Sequence, residues 1–445
     1  MIRRKPNMEP CQTPMAEQPL PQRLNNFDEV KLGYTSEEAR REAERCLNCP
    51  DRYCAQYCPA HNYIPEFIAA IRDNDLEHAW ELLARTNPLM EVSGRVCPFE
   101  KQCESHCTRG IKCEPVAIGS LERYVADWHR KTVKTEHTLP PAIDRSVAIV
   151  GAGPAGMTCA LSLSDAGFEV HLYEKSASVG GVAGWGIPSF VLPKCVIENL
   201  TEQMKEQKVD IHLNTEVGKD ITLEELKKEN DAVFIATGAE LPVDLKIPGR
   251  GLAQVVQASD YLKAPDQYSG KNVLVIGGGN TAIDAARTAL RRNADSVRMV
   301  YRRTEEDMPA TKEELSIARE EGIGLITLAS PSSFLARDGK LAALECDRMK
   351  LTAPDYPGGR NNVAPSGEKF TIDCDLVILA LGFRNLPVKG VKLDGSNRIP
   401  VTKEYETNLD GVYAGGDAVT GSATLMKAVA AGRYAAASIF SRLSI

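Results

Sequence analysis

The 445-residue chain has no uninterrupted apolar run near the roughly 18 residues a membrane-spanning helix requires. Its opening, MIRRKPNMEPCQTPM, carries basic residues with no apolar stretch behind them, so no secretory signal is expected there. Positive charge is not in excess either. The 53 Lys and Arg stand against 60 Asp and Glu, a formal net charge of −7 that argues against a nucleic-acid- or anionic-membrane-binding surface as the main business. The 7 histidines are scattered, and no Ser-His-Asp or paired-carboxylate constellation is visible. Hydrophobic residues at 43% and charged residues at 25% exclude wholesale disorder and fibrous architectures. The length is a prior for about three domains.

What is present in quantity is cysteine. There are 13, in a chain too large to need disulfides and with no sign of export, which points to a reducing, cytoplasmic setting. Cys46, Cys49, Cys54, Cys58, Cys97, Cys103, Cys107 and Cys113 crowd into residues 46–113. Cys11, Cys159, Cys195, Cys346 and Cys374 are isolated and read as small buried hydrophobes or bystanders. The first block, CLNCPDRYCAQYCP, is CxxC, then a Cys, then a Cys-Pro; the second is CPFEKQCESHC. Short spacings let thiolates converge on a soft metal centre, and the Cys-Pro is shared with two-cluster ferredoxins. A structural zinc site is the rival, but zinc sites usually repeat the CxxC and the second block has none. Thr35 and Glu38 form a capping-box pattern ahead of a helix that ends near Cys46. Ile64, Phe67, Ile68 and Ile71, then Leu76, Ala79, Trp80 and Leu83, recur at helical spacing and read as core. His106, inside a cysteine run, reads as local packing.

From residue 141 the pattern changes. DRSVAIVGAGPAGMTCALSLSDAGFEVHLYEK is strand, glycine-rich turn, helix, strand. Gly151, Gly153 and Gly156 satisfy GxGxxG, and Glu174 closes the second strand where a carboxylate can accept from a ribose diol. A second unit, KNVLVIGGGNTAIDAARTALRRNADSVRMVYRR, carries Gly277, Gly279 and Ala282 as GxGxxA. Its second strand ends in Arg302 and Arg303 instead of an acid, which favours the 2′-phosphate of NADPH over NADH. DAVFIATGA (231–239) and CDLVILALGF (374–383) read as strands running into turns beside a flavin. The closing segment places Gly416 and Asp417 ahead of a helix, where an acid can meet the ribityl or pyrophosphate region. The expected fold is α/β: two nested Rossmann-like FAD/NAD(P)-binding domains preceded by an α-helical iron–sulfur domain. Its limits are 1–140 for the cluster domain, 141–262 with 372–445 for the FAD domain, and 263–371 for the NADPH domain.

Taken together, CLNCPDRYCAQYCP, VCPFEKQCESHC, VAIGSLERYVADW, GAGPAG, GIPSFVLPK, GGGNTAID, YRR and AGGDAV resemble the small (beta) subunit family of NADPH-dependent glutamate synthase. That family includes the N-terminal part of dihydropyrimidine dehydrogenase and the large subunit of the electron-bifurcating NADH-dependent ferredoxin:NADP oxidoreductase. The resemblance covers nearly the whole chain. It implies that Cys46, Cys49, Cys54 and Cys107 hold one [4Fe–4S] cluster. Cys58, Cys97 and Cys103 would hold the other with Glu122 of the LERY motif, whereas spacing alone points to Cys113 as the eighth ligand. FAD is implied on the first fold, with Ala155, Gly181 and Thr424 as further contacts. Asn280 and Thr281 are further contacts for NADPH on the second. Unlike the flavin-linked disulfide reductases, GGVAGWGIPSFVLPKC holds only Cys195 and no CxxxxC, so a dithiol relay is not expected.

The implied activity is electron relay from NADPH through FAD and two [4Fe–4S] clusters to a partner flavoprotein, with no separate catalytic acid–base residue. With no glutaminase, FMN-barrel or ferredoxin domain in this chain, the acceptor is expected on a separate subunit. The leading form is the glutamate synthase large subunit. The alternatives are a FAD/[2Fe–2S] subunit of a bifurcating enzyme, a dihydropyrimidine dehydrogenase catalytic subunit, or a stand-alone electron-transfer module.

Overall fold

The computed structural model describes residues 6–133, 140–354 and 361–444. The N-terminal part is helical, for reasons visible in its local chemistry. Thr35 accepts the Glu38 amide and Glu38 returns to the Thr35 amide, closing a complete capping box at the head of Ser36–Ala43. Pro65 sits in the first turn of Ile64–Arg72, where its missing N–H costs nothing. That helix buries Ile64, Phe67, Ile68 and Ile71 along one face, and Leu76–Ala84 buries Ala79 and Leu83. Trp80 is half-buried and stacks on His129 of the helix Ile118–Thr132, ring centroids 3.9 Å apart.

The chain then lays down β1 (Ser146–Val150), β2 (Glu169–Tyr173), β3 (Asp210–His212) and β4 (Ala232–Ile235). It crosses through β5 (Leu241–Pro242) into β6 (Val255–Gln257), β7 (Asn272–Ile276), β8 (Ser296–Val300) and β9 (Gly324–Ile326). An antiparallel β10 (Ala329–Arg337), β11 (Lys340–Thr352) and β12 (Asn362–Asp373) follow, then β13 (Leu376–Leu379). The return runs through β14 (Phe383–Arg384) to β15 (Val412–Ala414) and a long terminal helix, Leu425–Leu443. Two parallel five-stranded sheets result, ordered β15-β4-β1-β2-β3 and β6-β13-β7-β8-β9. Each has the doubly wound character expected, one sheet being inserted within the other.

The crossover points differ from expectation. β6 and β13 pair into the second sheet, so the limits at 262/263 and 371/372 lie one strand too far inward on both sides. CDLVILALGF accordingly belongs to the second sheet and not to the flavin sheet. The short antiparallel pair β5–β14 is the true neck. Buried parallel strands are near-continuous apolar runs, and such a run does not say which of two sheets it joins.

The helical domain and the first nucleotide fold share one core, in which Phe67, Leu83 and Leu121 are continuous with Val147, Ile149 and Phe234. The second fold has its own cores on either face of its sheet. It is tied to the helical part by polar links: Lys101 Nζ donates to the carbonyls of Pro309 and Ala310 at 2.6 and 2.8 Å, and Arg23 pairs with Glu320 and Glu321. Arg287 and Arg291 close on the same Glu321 and lie over the Phe190 ring.

The terminal helix packs on Pro154–Ser164 through Gly432, where a Cβ would meet the Ala155 carbonyl oxygen at 2.2 Å. Gly432→Ala is therefore expected to cost about 1–3 kcal/mol by overpacking against backbone. Gly395→Ala, a site with nothing within 4 Å, should be near neutral. Thermal unfolding of the two variants decides; equal melting points would show that the helices are free to part. Among the described residues no helix is long and apolar enough to cross a membrane.

Candidate functional site

The cysteine-rich segment folds into short turns between helices, and all 13 cysteines are free thiols. Two groups emerge from their mutual electrostatics. Burial, then the charges of Cys107 and Cys49, push the Cys46 thiol up to about 11. Burial and the charges of Cys46, Cys107 and Cys49 push Cys54 up to about 12. In the other group burial dominates again, and Cys58, Cys97 and Cys103 are all raised further by the charge of Glu122. Cys113 is half-buried, and its amide donates to the Arg109 carbonyl. Protonated thiols packed this densely fit a soft metal centre, which would replace several protons at once.

Glu122 lies on the buried face of Ile118–Thr132 and is 3% exposed. Burial lifts its carboxyl to about 7, against the lowering effect of hydrogen bonds from Ser93, Asn62 and Asn87. Ser93 Oγ and Asn87 Nδ2 (3.1 Å) both donate to Oε1, while among the described residues Oε2 receives only Asn62 Nδ2 at 3.5 Å. All three donors are neutral, and Oε2 keeps accepting capacity in reserve. A carboxylate beside three thiols, held by neutral donors, fits the donor set of a cluster with one oxygen ligand.

The turn after β1 is built for close backbone approach. Gly151 has φ +101°, and a Cβ there would lie 2.5 Å from the Ala236 carbonyl oxygen. A Cβ on Gly156 would lie 1.9 Å from the Gly151 carbonyl oxygen, so the helix Pro154–Ser164 seats directly on the strand. Gly153 faces open space. Glu174, 6% exposed, accepts the Ala152 amide on one oxygen and the Ser176 amide on the other, at 2.9 and 2.8 Å. These bonds fix the carboxylate at the end of β2. Burial raises the Asp417 carboxyl to about 6, against one amide bond from Ala423. A four-residue helix, Asp417–Thr420, separates it from the long terminal helix that Thr424 heads. Thr424 Oγ1 is buried with no hydrogen-bond partner among the described residues, an orphaned polar atom of the kind a bound group satisfies.

One cavity of about 1330 Å³ joins these parts. Gly151, Gly153, Ala155, Glu174, Gly181, Gly416, Asp417 and Thr424 line it, as do Asn280 and Thr281 of the second fold, and Cys97 at its far side. Gly156, Gly277, Gly279 and Ala282 instead shape the two turns from behind. Arg302 is exposed and Arg303 half-buried just beyond β8, outside this cavity, with Arg303 Nε unpartnered. The motifs did not single out Gln102, whose Nε2 is orphaned at the Cys97 end, or Asp284. Burial raises the Asp284 carboxyl well above its usual range. Asp284 follows Asn280 by one helical turn, so helical spacing from the glycine turn was the available signal.

Residues 23–134 match the family described as dihydropyrimidine dehydrogenase domain II, 4Fe-4S cluster. Residues 145–434 match pyridine nucleotide-disulphide oxidoreductase. The chain is 36% identical to the glutamate synthase [NADPH] small chain of Azospirillum brasilense, over 95% of this chain and 93% of that one. It is 34% identical to the NAD-dependent dihydropyrimidine dehydrogenase subunit PreT of Escherichia coli O157:H7, over 93% and 97%. Among solved structures, FprA from Mycobacterium tuberculosis in complex with NADPH superposes with TM-score 0.60 at 21% identity, covering 68% of this chain and 85% of that one.

Proposed function

Because the chain belongs to the family of the NADPH-dependent glutamate synthase small chain, we propose that it passes electrons from NADPH to a partner subunit of the glutamate synthase large-chain type. Membership makes it an NADPH-dependent oxidoreductase with FAD-binding and iron–sulfur domains. The observation that carries the proposal is that one cavity is lined together by Asn280 of the second fold, the glycine turn of the first and Cys97 of the cysteine-rich segment. Glu174 and the glycine turn would hold FAD there, and Asn280 and Thr281 would hold NADPH. Together these would supply hydride chemistry and its division into single electrons, while clusters on the cysteine-rich domain would supply one-electron conduction.

The chain's own residues bind and align. Gly151, Gly153 and Ala155 present the turn and the start of its helix to a pyrophosphate, Gly156 seats that helix on the strand behind them, and Glu174 is aimed at the adenosine ribose. Gly181, Gly416, Asp417 and Thr424 close over the flavin half. Asn280 and Thr281 perform the same service for NADPH on the turn that Gly277, Gly279 and Ala282 shape from behind, with Arg302 and Arg303 for its 2′-phosphate. Cys46, Cys49, Cys54 and Cys107 form one ligand set; Cys58, Cys97, Cys103 and Glu122 form the other. Cys195 is exposed and has no second cysteine beside it in the sequence, which leaves the cluster domain as the exit. The free thiols accord with a cytoplasmic location.

Purified holoprotein is expected to reduce an artificial dye with NADPH, and to co-purify from its host with an FMN-barrel chain. Capture of a small FAD/[2Fe–2S] chain would assign it to the bifurcating enzymes instead. Absence of NADPH-dependent dye reduction would overturn the oxidoreductase route itself.

A further inference from the structure

The outer edge of the flavin sheet carries a cluster of side chains that the electron route does not use. β2 and β3 pair in parallel, with His171 opposite Asp210 and Tyr173 opposite His212. The period of two puts all four side chains on one face. His171 Nδ1 lies 3.3 Å from Asp210 Oδ2, and His212 Nε2 lies 2.9 Å from the same oxygen. One donor atom from each residue falls within 4.8 Å of the others. His212 Nε2 is buried and, among the described residues, forms no hydrogen bond, although Asp210 Oδ2 lies within reach. Two imidazole nitrogens and a carboxylate oxygen thus converge with an acceptor-lined gap between them.

The surroundings fix the rings for that task. His212 stacks on Tyr173, centroids 4.5 Å apart and planes 8° from parallel. His171 presents its second nitrogen, Nε2, to Glu169 Oε1 at 3.4 Å. A carboxylate behind the non-ligating nitrogen is the arrangement that orients metal-bound histidine. The Asp210 side chain is 58% exposed, which leaves room for water to complete a coordination sphere. Mixed nitrogen and oxygen donors select a borderline divalent ion over calcium or magnesium, which take oxygen alone.

We propose that His171, Asp210 and His212 form a binding site for a divalent transition ion of the zinc class. Such an ion staples edge strand β3 to β2. The His212 carbonyl accepts the Glu174 amide at 2.9 Å, so the staple also braces the backbone beneath the ribose-facing carboxylate. The site lies in the flavin sheet, apart from every cluster cysteine, and does not depend on which partner takes the electrons.

The test is anaerobic titration of holoprotein with Zn²⁺ in competition with a chromophoric chelator. One equivalent is expected to bind to the parent, at least about 100-fold more weakly to His212→Ala and His171→Ala, and about tenfold more weakly to Asp210→Asn. Zinc-edge X-ray absorption should show a nitrogen/oxygen shell near ~2.0–2.1 Å with no sulfur near ~2.3 Å. Zinc that binds equally to parent and variants, or that carries a sulfur shell, overturns the proposal. Should either alanine variant lose FAD or iron, His212→Gln serves in its place, with the same loss expected.

Discussion

Glu122→Gln is expected to remove one of two iron–sulfur signals and roughly half of the bound iron, while Cys113→Ala removes neither. Glutamine is the better probe because of what surrounds the site. Alanine would strand Ser93, Asn62 and Asn87, three buried donors that lose their acceptor, at about 1–3 kcal/mol each. Such a loss could empty the domain through unfolding alone. Glutamine keeps the volume and one carbonyl oxygen for those donors but cannot supply an anionic ligand. Electron delivery to the partner should then fall by at least ~100-fold, on the scale seen when the surroundings of a metal centre are disturbed. NADPH-dependent dye reduction should persist, since the glycine turn and Glu174 are untouched. Glu122→Cys offers a thiolate in place of the oxygen and should restore the iron with a shifted potential. Iron content, low-temperature electron paramagnetic resonance and melting temperature measured together decide the matter. Full iron in Glu122→Gln alongside depleted iron in Cys113→Ala would reassign the eighth ligand to Cys113.

The second large effect lies at the other end of the route. Arg302 and Arg303 follow β8, in the place where an acid would bind a free ribose hydroxyl, and Arg303 Nε has no hydrogen-bond partner among the described residues. A guanidinium bonded to phosphate is worth about 1.5–3 kcal/mol, or roughly 10- to 100-fold for each residue. The double variant Arg302→Ala/Arg303→Ala should therefore lose at least ~100-fold in kcat/KM for NADPH. NADH, which has no 2′-phosphate to lose, should be used about as before. The ratio of the two specificity constants is the measurement, taken at fixed ionic strength because screening weakens exposed pairs. A parent enzyme that already prefers NADH, or a double variant with an unchanged ratio, contradicts the assignment.

Much of this arrangement was legible in the sequence because it rests on residues with few substitutes. Gly151 and Gly156 are dictated by carbonyl oxygens within 2.5 Å of where a Cβ would be, and only glycine meets that demand. The capping box at Thr35 and the buried stripe on Ile64–Arg72 obey local rules and appear where local rules place them. The division of β6 and β13 between sheets was not legible, since Val255–Gln257 and Leu376–Leu379 would suit either core equally. Nor was the long-range seating of the second fold: Arg23 and Glu320 meet across nearly 300 positions, and nothing near either one announces the other. Glu122 falls between these cases. Its spacing from the cysteines argues for nothing; the family resemblance of its LERY motif pointed to it, and in three dimensions its charge bears on Cys58, Cys97 and Cys103.

The β5–β14 neck has a bearing on how such a chain came to be assembled. Pro242 lies opposite Phe383, and Leu241 opposite Arg384, so the chain leaves the first fold and re-enters it at one place. To the host, everything from 243 to 382 is topologically a hairpin tip. Closure entropy grows only with the logarithm of loop length, and a guest that folds on its own cores holds its two ends together without help. Grafting a whole cofactor domain there asks little more of the host than lengthening a surface turn. The same doorway makes residues 243–382 a transplantable cassette, one whose exchange for a guest of different nucleotide preference should leave the flavin and cluster architecture standing.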